Sequence, residues 1–185
     1  MLMLAFAAFI ALGMPDGLLG VAWPSIRAGF SLPLDAVAMF VPATVSGYMV
    51  SSFCSGPLVA RFGIGRVLAA SCALTGIALV GYTLVPAWWM MVVLGVLSGL
   101  GAGAIDAGLN SYVAAHFNER HMQWLHAFYG VGVTLGPIIM TFTLTWLNSW
   151  RAGYRTVGSF QFIMAVAFVL TLPMWNHKTS HSSEP

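Results

Sequence analysis

Apolar residues run along this chain in six stretches, each long enough to cross a bilayer, and polar residues crowd into the short gaps between them. A spanning helix needs about 20 mostly apolar residues. By that measure helices are expected at Leu2 to Ile26, Val37 to Ala60, Val67 to Val85, Trp88 to Ala115, Met122 to Leu147 and Thr156 to Trp175. Residues 1–175 then form one six-helix unit. Residues 176–185, NHKTSHSSEP, read as a polar tail or the start of a linker.

Composition agrees with the pattern. Charged residues make up 6% of the chain, against about 25% in ordinary soluble domains. Hydrophobic residues make up 59%, and the mean hydropathy is +0.86. So few charges cannot cover a water-soluble surface, so the lipid bilayer is the expected solvent. A net charge of +2 with no basic run argues against a nucleic-acid partner. The start, MLMLAFAAFIALG, has no positive leader and reads as a first spanning helix, not a signal peptide. Arg61, Arg66, Arg120 and Lys178 fall on the side shared by both termini, and Arg27, Arg151 and Arg155 on the other. Four against three is a weak bias that does not decide the orientation alone; the expected one has both termini in the cytoplasm. Cys54 and Cys72 read as small buried hydrophobes.

The two halves echo each other. Gly56-Pro57 recurs as Gly136-Pro137, each preceded eight residues earlier by an aromatic, Tyr48 or Phe128. Asp16-Gly17-Leu18 recurs as Asp106-Ala107-Gly108-Leu109. The offsets are 80 and 90 residues. Helices one to three therefore predict a copy in helices four to six. Three is odd, so the second copy starts from the opposite side of the membrane. The expected fold is an all-α membrane protein with a 3+3 inverted repeat, a plan used by secondary transporters.

The polar groups inside the apolar stretches carry the candidate chemistry. In helix four Gly95, Gly99 and Gly103 precede Asp106, Asn110 and Val113. All six fall within about 80° on a helix, so small residues for close packing share a face with the carboxylate and amide. Asp106 is either a packing polar or a pathway group. Intramembrane Asp is costly and usually lines a route for ions or substrate, which favours the second. Asp16 sits among Gly13, Pro15, Gly17 and Gly20, which weaken regular helix. It falls near the middle of helix one if that helix extends towards Phe30. On helix five His126 can titrate near neutral pH, and Trp124 and Tyr129 can stack on or hydrogen-bond a solute. Gln161 on helix six is a candidate of the same kind.

Other chemistry finds no support. His116, His121 and His126 recur every five residues. That spacing turns each about 140° from the last, so they cannot share a metal. No nucleophile elbow or phosphate loop occurs, so the sequence makes no case for an enzyme and calls for no cofactor.

GPLVARFGIGR, Gly56 to Arg66, resembles the signature loop between helices two and three of the major facilitator superfamily, with Gly56, Leu58, Arg61, Gly63 and Arg66 in place. Ala60 stands where that family carries an acid that helps lock the closed state. GVTLGP, with Gly132, Gly136 and Pro137, resembles the helix-five motif often tied to antiporters, although Met140 and Thr141 replace its trailing glycines. Asp106 with Asn110, and Asp16, resemble the acidic positions of the fucose permease-like sugar:proton symporters. That resemblance implies that Asp16 and Asp106 serve proton coupling and substrate binding. It also implies that Asn110 hydrogen-bonds the substrate. Members of this family carry twelve helices in two halves, and the chain resembles the N-terminal half. A second six-helix half is thus an expected partner, either on a longer chain or as a separate subunit. The apolar start at Met1 favours a longer chain. Two other expectations stay open: a proton-driven drug or metabolite exporter, and a membrane scaffold that uses the Gly95, Gly99 and Gly103 face for packing alone.

Overall fold

The computed structural model describes residues 1–175, and the polar segment 176–185, with Lys178, lies outside the described residues. Helix α1 spans Leu2–Gly29, and a 3₁₀ turn at Leu34–Ala36 leads into α2, Val37–Phe62. Then follow α3, Ile64–Tyr82, α4, Trp88–His116, α5, Glu119–Leu147, and α6, Trp150–Leu170. A one-turn helix α7, Leu172–Trp175, closes the described chain. Helices α1 to α6 are each long and apolar enough to cross a membrane. The chain is an all-α integral membrane protein.

Several ends differ from the sequence expectation for physical reasons. Helix α1 runs on to Gly29, unbroken at Pro15 or Pro24, so Asp16 lies near its middle. Helix α5 starts earlier because the Asn118 side chain accepts from the backbone N–H of His121, capping the first turn. Helix α6 starts at Trp150, where the Ser149 hydroxyl accepts from Ala152 N–H at 3.3 Å. That start lies six residues before the expected Thr156, so Arg151 and Arg155 fall within the helix. Those side chains find local partners. Arg151 lies over the Trp150 ring at 4.5 Å, and Arg155 Nε donates to Thr83 Oγ1 at 3.1 Å. Nor does α6 reach Trp175. Pro173 has no N–H for the Val169 carbonyl, so the regular helix stops at Leu170. Cys72 is buried as expected, but Cys54 is exposed on α2.

The helices pair in the manner of the repeat. The most extensive contacts are α2 along α4 and α1 along α5, which become one and the same contact when helices one to three are laid on helices four to six. Lipid tails are as apolar as leucine, so such pairs depend on close packing of small residues. A Cβ on Gly99 would fall on the Thr44 carbonyl oxygen, and one on Gly103 on that of Tyr48. Across the other pair, a Cβ on Gly13 would fall on the Tyr129 carbonyl, one on Gly132 on that of Ile10, and one on Gly136 on that of Met14. Gly95 is looser, facing Thr44 Oγ1 and the Phe40 ring. Gly76 and Gly158 abut across α3 and α6, on the helices that complete the unit.

Gly63 alone joins α2 to α3. Its φ of 82° and ψ of 148° lie in a region that only glycine occupies without strain. Around it, Arg66 Nη1 donates to the Phe62 carbonyl at 3.4 Å, and the Arg61 guanidinium lies over the Phe62 ring. Leu58 is half-exposed, and Gly56 has open space above its Cα. Replacing Gly63 with alanine should destabilise the protein by about 1–3 kcal/mol. A lowered melting temperature in mild detergent is the expected reading, and an unchanged one would show that the loop relaxes freely.

Candidate functional site

Two carboxylates and two phenols meet in one cavity of about 280 Å³. Helix α1 contributes Phe9, Leu12 and Asp16, and α2 contributes Thr44, Val45 and Tyr48. Helix α4 adds Gly99, Ala102 and Asp106, and α5 adds His126 and Tyr129. A second cavity of about 280 Å³ shares Asp16, Thr44 and Val45 and continues past Leu19 towards Tyr82 and Tyr154. Asp16 therefore lines both cavities, whereas Asp106 lines only the first. A larger cavity of about 540 Å³ opens at the Gly63 end, between Ala60, Gly108, Tyr112, His116 and Trp175. It contains no carboxylate. Asp16 and Asp106 lie in the smaller pair.

The hydrogen bonds at the carboxylates repeat across the two halves. The Tyr48 phenol on α2 donates to Asp106 Oδ2 on α4 at 2.5 Å. The Tyr129 phenol on α5 donates to Asp16 Oδ2 on α1 at 2.5 Å. The 90-residue offset that carries Asp16 to Asp106 also carries Gly13 to Gly103, and each of these glycines lies against the backbone carbonyl of its own tyrosine. Each carboxylate thus stands one turn after a glycine that draws the partner helix close, and this approach brings the phenol within reach. The Gly-x-x-Asp spacing at both places was visible in the sequence, but the phenols that pair with it were not.

The sequence matched Tyr48 with Phe128, and the structure corrects that register by one residue. Phe128 stacks on Phe6 of α1, with ring centroids 4.8 Å apart, while Tyr129 reaches Asp16. Neighbours on a helix are turned by about 100°, so the two rings cannot do the same work. Tyr48 is the member of this cluster that sequence reasoning undervalued, because a lone aromatic on an apolar helix carries no signal of its own.

The remaining candidates are dispersed. Asn110 Nδ2 donates to Asp106 Oδ1 at 3.0 Å along one face of α4, so it joins the cluster through Asp106. His126 lines the cavity and meets the Phe9 ring edge-on at 6.0 Å. Trp124 points outward, half-exposed beside Phe128, away from the carboxylates. Gln161 is fully buried and donates through Nε2 to the Ala11 carbonyl at 2.6 Å, tying α6 to α1 behind the cavity wall. The Gly132, Gly136 and Pro137 run is taken up by contact with α1, where Pro137 meets Gly17. Gly95, Gly99 and Gly103 are likewise covered by α2 within this chain.

A family model described as Major Facilitator Superfamily matches residues 2–184. The chain is also similar to the glucose/mannose transporter GlcP of Bacillus subtilis (strain 168), at 22% identity over 169 residues. That match takes in 90% of this chain and 42% of the relative, so the chain spans less than half the length of the protein it resembles.

Proposed function

This chain belongs to the Major Facilitator Superfamily, and from that premise we propose that it forms the N-terminal half of a proton-coupled importer of small polyhydroxylated solutes, hexoses first among them. The observation that carries the reading is the cavity holding Asp16, Asp106, Tyr48, Tyr129 and His126 among apolar walls. Carboxylates and phenols accept from and donate to sugar hydroxyls, and apolar walls exclude water around them. The similarity to a glucose/mannose transporter supports the choice of solute class.

The mechanism is alternating access. Asp16 and Asp106 are the coupling carboxyls, His126 supplies a hydrogen bond to the solute, and Asn110 and Tyr129 act on it through the carboxylates they hold. Protonation removes a charge from the cavity, which lowers the cost of closing it away from water. Helices α1 and α4 then rock as one body against a second six-helix half across the α2 and α5 face, the least buried of the unit. Both termini lie in the cytoplasm, and the membrane is the bacterial cytoplasmic one.

An exporter is less well supported. The run that suggested it, Gly132 to Pro137, has a sufficient reason in the packing of α5 on α1. A scaffold is less well supported for the same kind of reason, since the glycine face of α4 is already covered by α2.

Cells without their own hexose uptake, expressing the protein as its native gene encodes it, should accumulate labelled glucose or mannose above the external level. A protonophore should abolish that accumulation. Hexose-driven efflux of protons, or no hexose accumulation at all, would overturn the reading.

A further inference from the structure

The two carboxylate sites are related by the repeat, yet they are not held alike. Asp106 has a donor on each oxygen, Tyr48 on Oδ2 and Asn110 on Oδ1. Asp16 has one donor among the described residues, Tyr129 on Oδ2. The 90-residue offset shows where the second is missing. It carries Asn110 back to Gly20, which offers no side chain and has open space above its Cα. A carboxylate with a charge-assisted bond on each oxygen is fixed at both ends, whereas one held at a single oxygen leaves the other free to accept from a ligand. Asp16 also lines both cavities, so there is open space beside it.

We propose that Tyr48 and Tyr129 are repeat-related positioning residues with unequal loads: Tyr129 is the sole anchor of Asp16, while Tyr48 shares Asp106 with Asn110. Asp106 is then the fixed wall of the site. Asp16 is the carboxylate that offers a solute hydroxyl an oxygen, Oδ1, that no donor among the described residues occupies. Oδ1 accepts that hydroxyl, and the Tyr129 phenol keeps Oδ2 in place while it does so. This rests on the transport reading for its consequence, but the unequal anchoring is a property of the chain alone.

Both levels are open to test. In cells that take up hexose, Tyr129→Phe should raise KM about tenfold or more, the loss expected for one hydrogen bond to a charge, with a smaller change in maximal rate. Tyr48→Phe should raise it only about threefold, because Asn110 still holds Asp106. Removing both anchors of Asp106, in Tyr48→Phe with Asn110→Ala, should match the larger effect. Gly20→Asn, placed into open space one turn from Asp16, should bring the Tyr129→Phe protein back towards the parent KM.

A readout that needs no transport runs beside these. The infrared carboxylate stretch of the purified protein should shift more in Tyr129→Phe than in Tyr48→Phe, and Gly20→Asn should reverse the larger shift. Equal effects of the two phenylalanine variants, or no rescue by Gly20→Asn, overturn the proposal even if the parent transports normally. Infrared shifts in the expected order in a protein that moves no hexose would uphold the unequal anchoring and sink the transport reading instead.

Discussion

Replacing Gly99 with leucine will leave little folded protein, while the same change at Gly130 will leave its amount unaltered. The reason is what a new Cβ meets. At Gly99 it falls on the Thr44 carbonyl oxygen with the Tyr48 backbone close behind, and at Gly130 it meets nothing. A flexible side chain could give way, but here the obstacle is the backbone of α2. Helix α2 would have to leave α4, and the phenol of Tyr48 would leave Asp106 with it. Ordinary overpacking costs about 1–3 kcal/mol, and forcing two main chains apart along a whole helix pair should exceed that. Helix propensity alone favours both changes by up to about 1 kcal/mol, so opposite outcomes isolate the packing term. Monodisperse yield on gel filtration in mild detergent, with the melting temperature of what remains, is the measurement. Equal yields would mean that α2 and α4 do not pack as described.

Asp106→Asn should abolish uphill uptake while leaving exchange of labelled for unlabelled solute within several-fold of the parent. Asparagine keeps nearly the size of aspartate and can still accept from Tyr48, so the wall of the cavity stays in place. What it cannot do is take up and release a proton. Without that step Asp106 no longer ties the charge of the cavity to its orientation, and the proton gradient loses its purchase there. Transport then runs only down the solute gradient. The check is the steady-state ratio of internal to external hexose, expected to fall to about one, measured beside counterflow in vesicles loaded with unlabelled sugar. Undiminished accumulation would remove Asp106 from coupling.

The site shows where one-dimensional reading reaches its limit. Asp16 and Asp106 stood out because a charge within an apolar helix is costly and needs a reason. Asn110 followed from its place one turn beyond Asp106. Tyr129 was one aromatic among several, and Tyr48 was noted only as a marker of the repeat. Nothing in their own neighbourhoods distinguishes them from Phe128 or Trp124, since the group each phenol meets lies on another helix. Gln161 had a polar signal like that of His126, yet one is buried against Ala11 and the other lines the cavity.

The sequence by itself determined the solvent, the six helices, their approximate limits and the two-part repeat. Those properties depend on hydrophobic length, on the rarity of charge and on local spacing, all of which are read along a single strand. Only the tertiary structure decided which face of each helix meets which neighbour. That in turn decided that Tyr129, not Phe128, completes the repeat. It also showed that Gly99 and Gly103 of α4 and Gly132 and Gly136 of α5 are taken up by packing within this chain. The physical reason is that a helix turns its side chains by about 100° per residue, so a shift of one position changes the partner entirely, and the partner is fixed by where two backbones can approach.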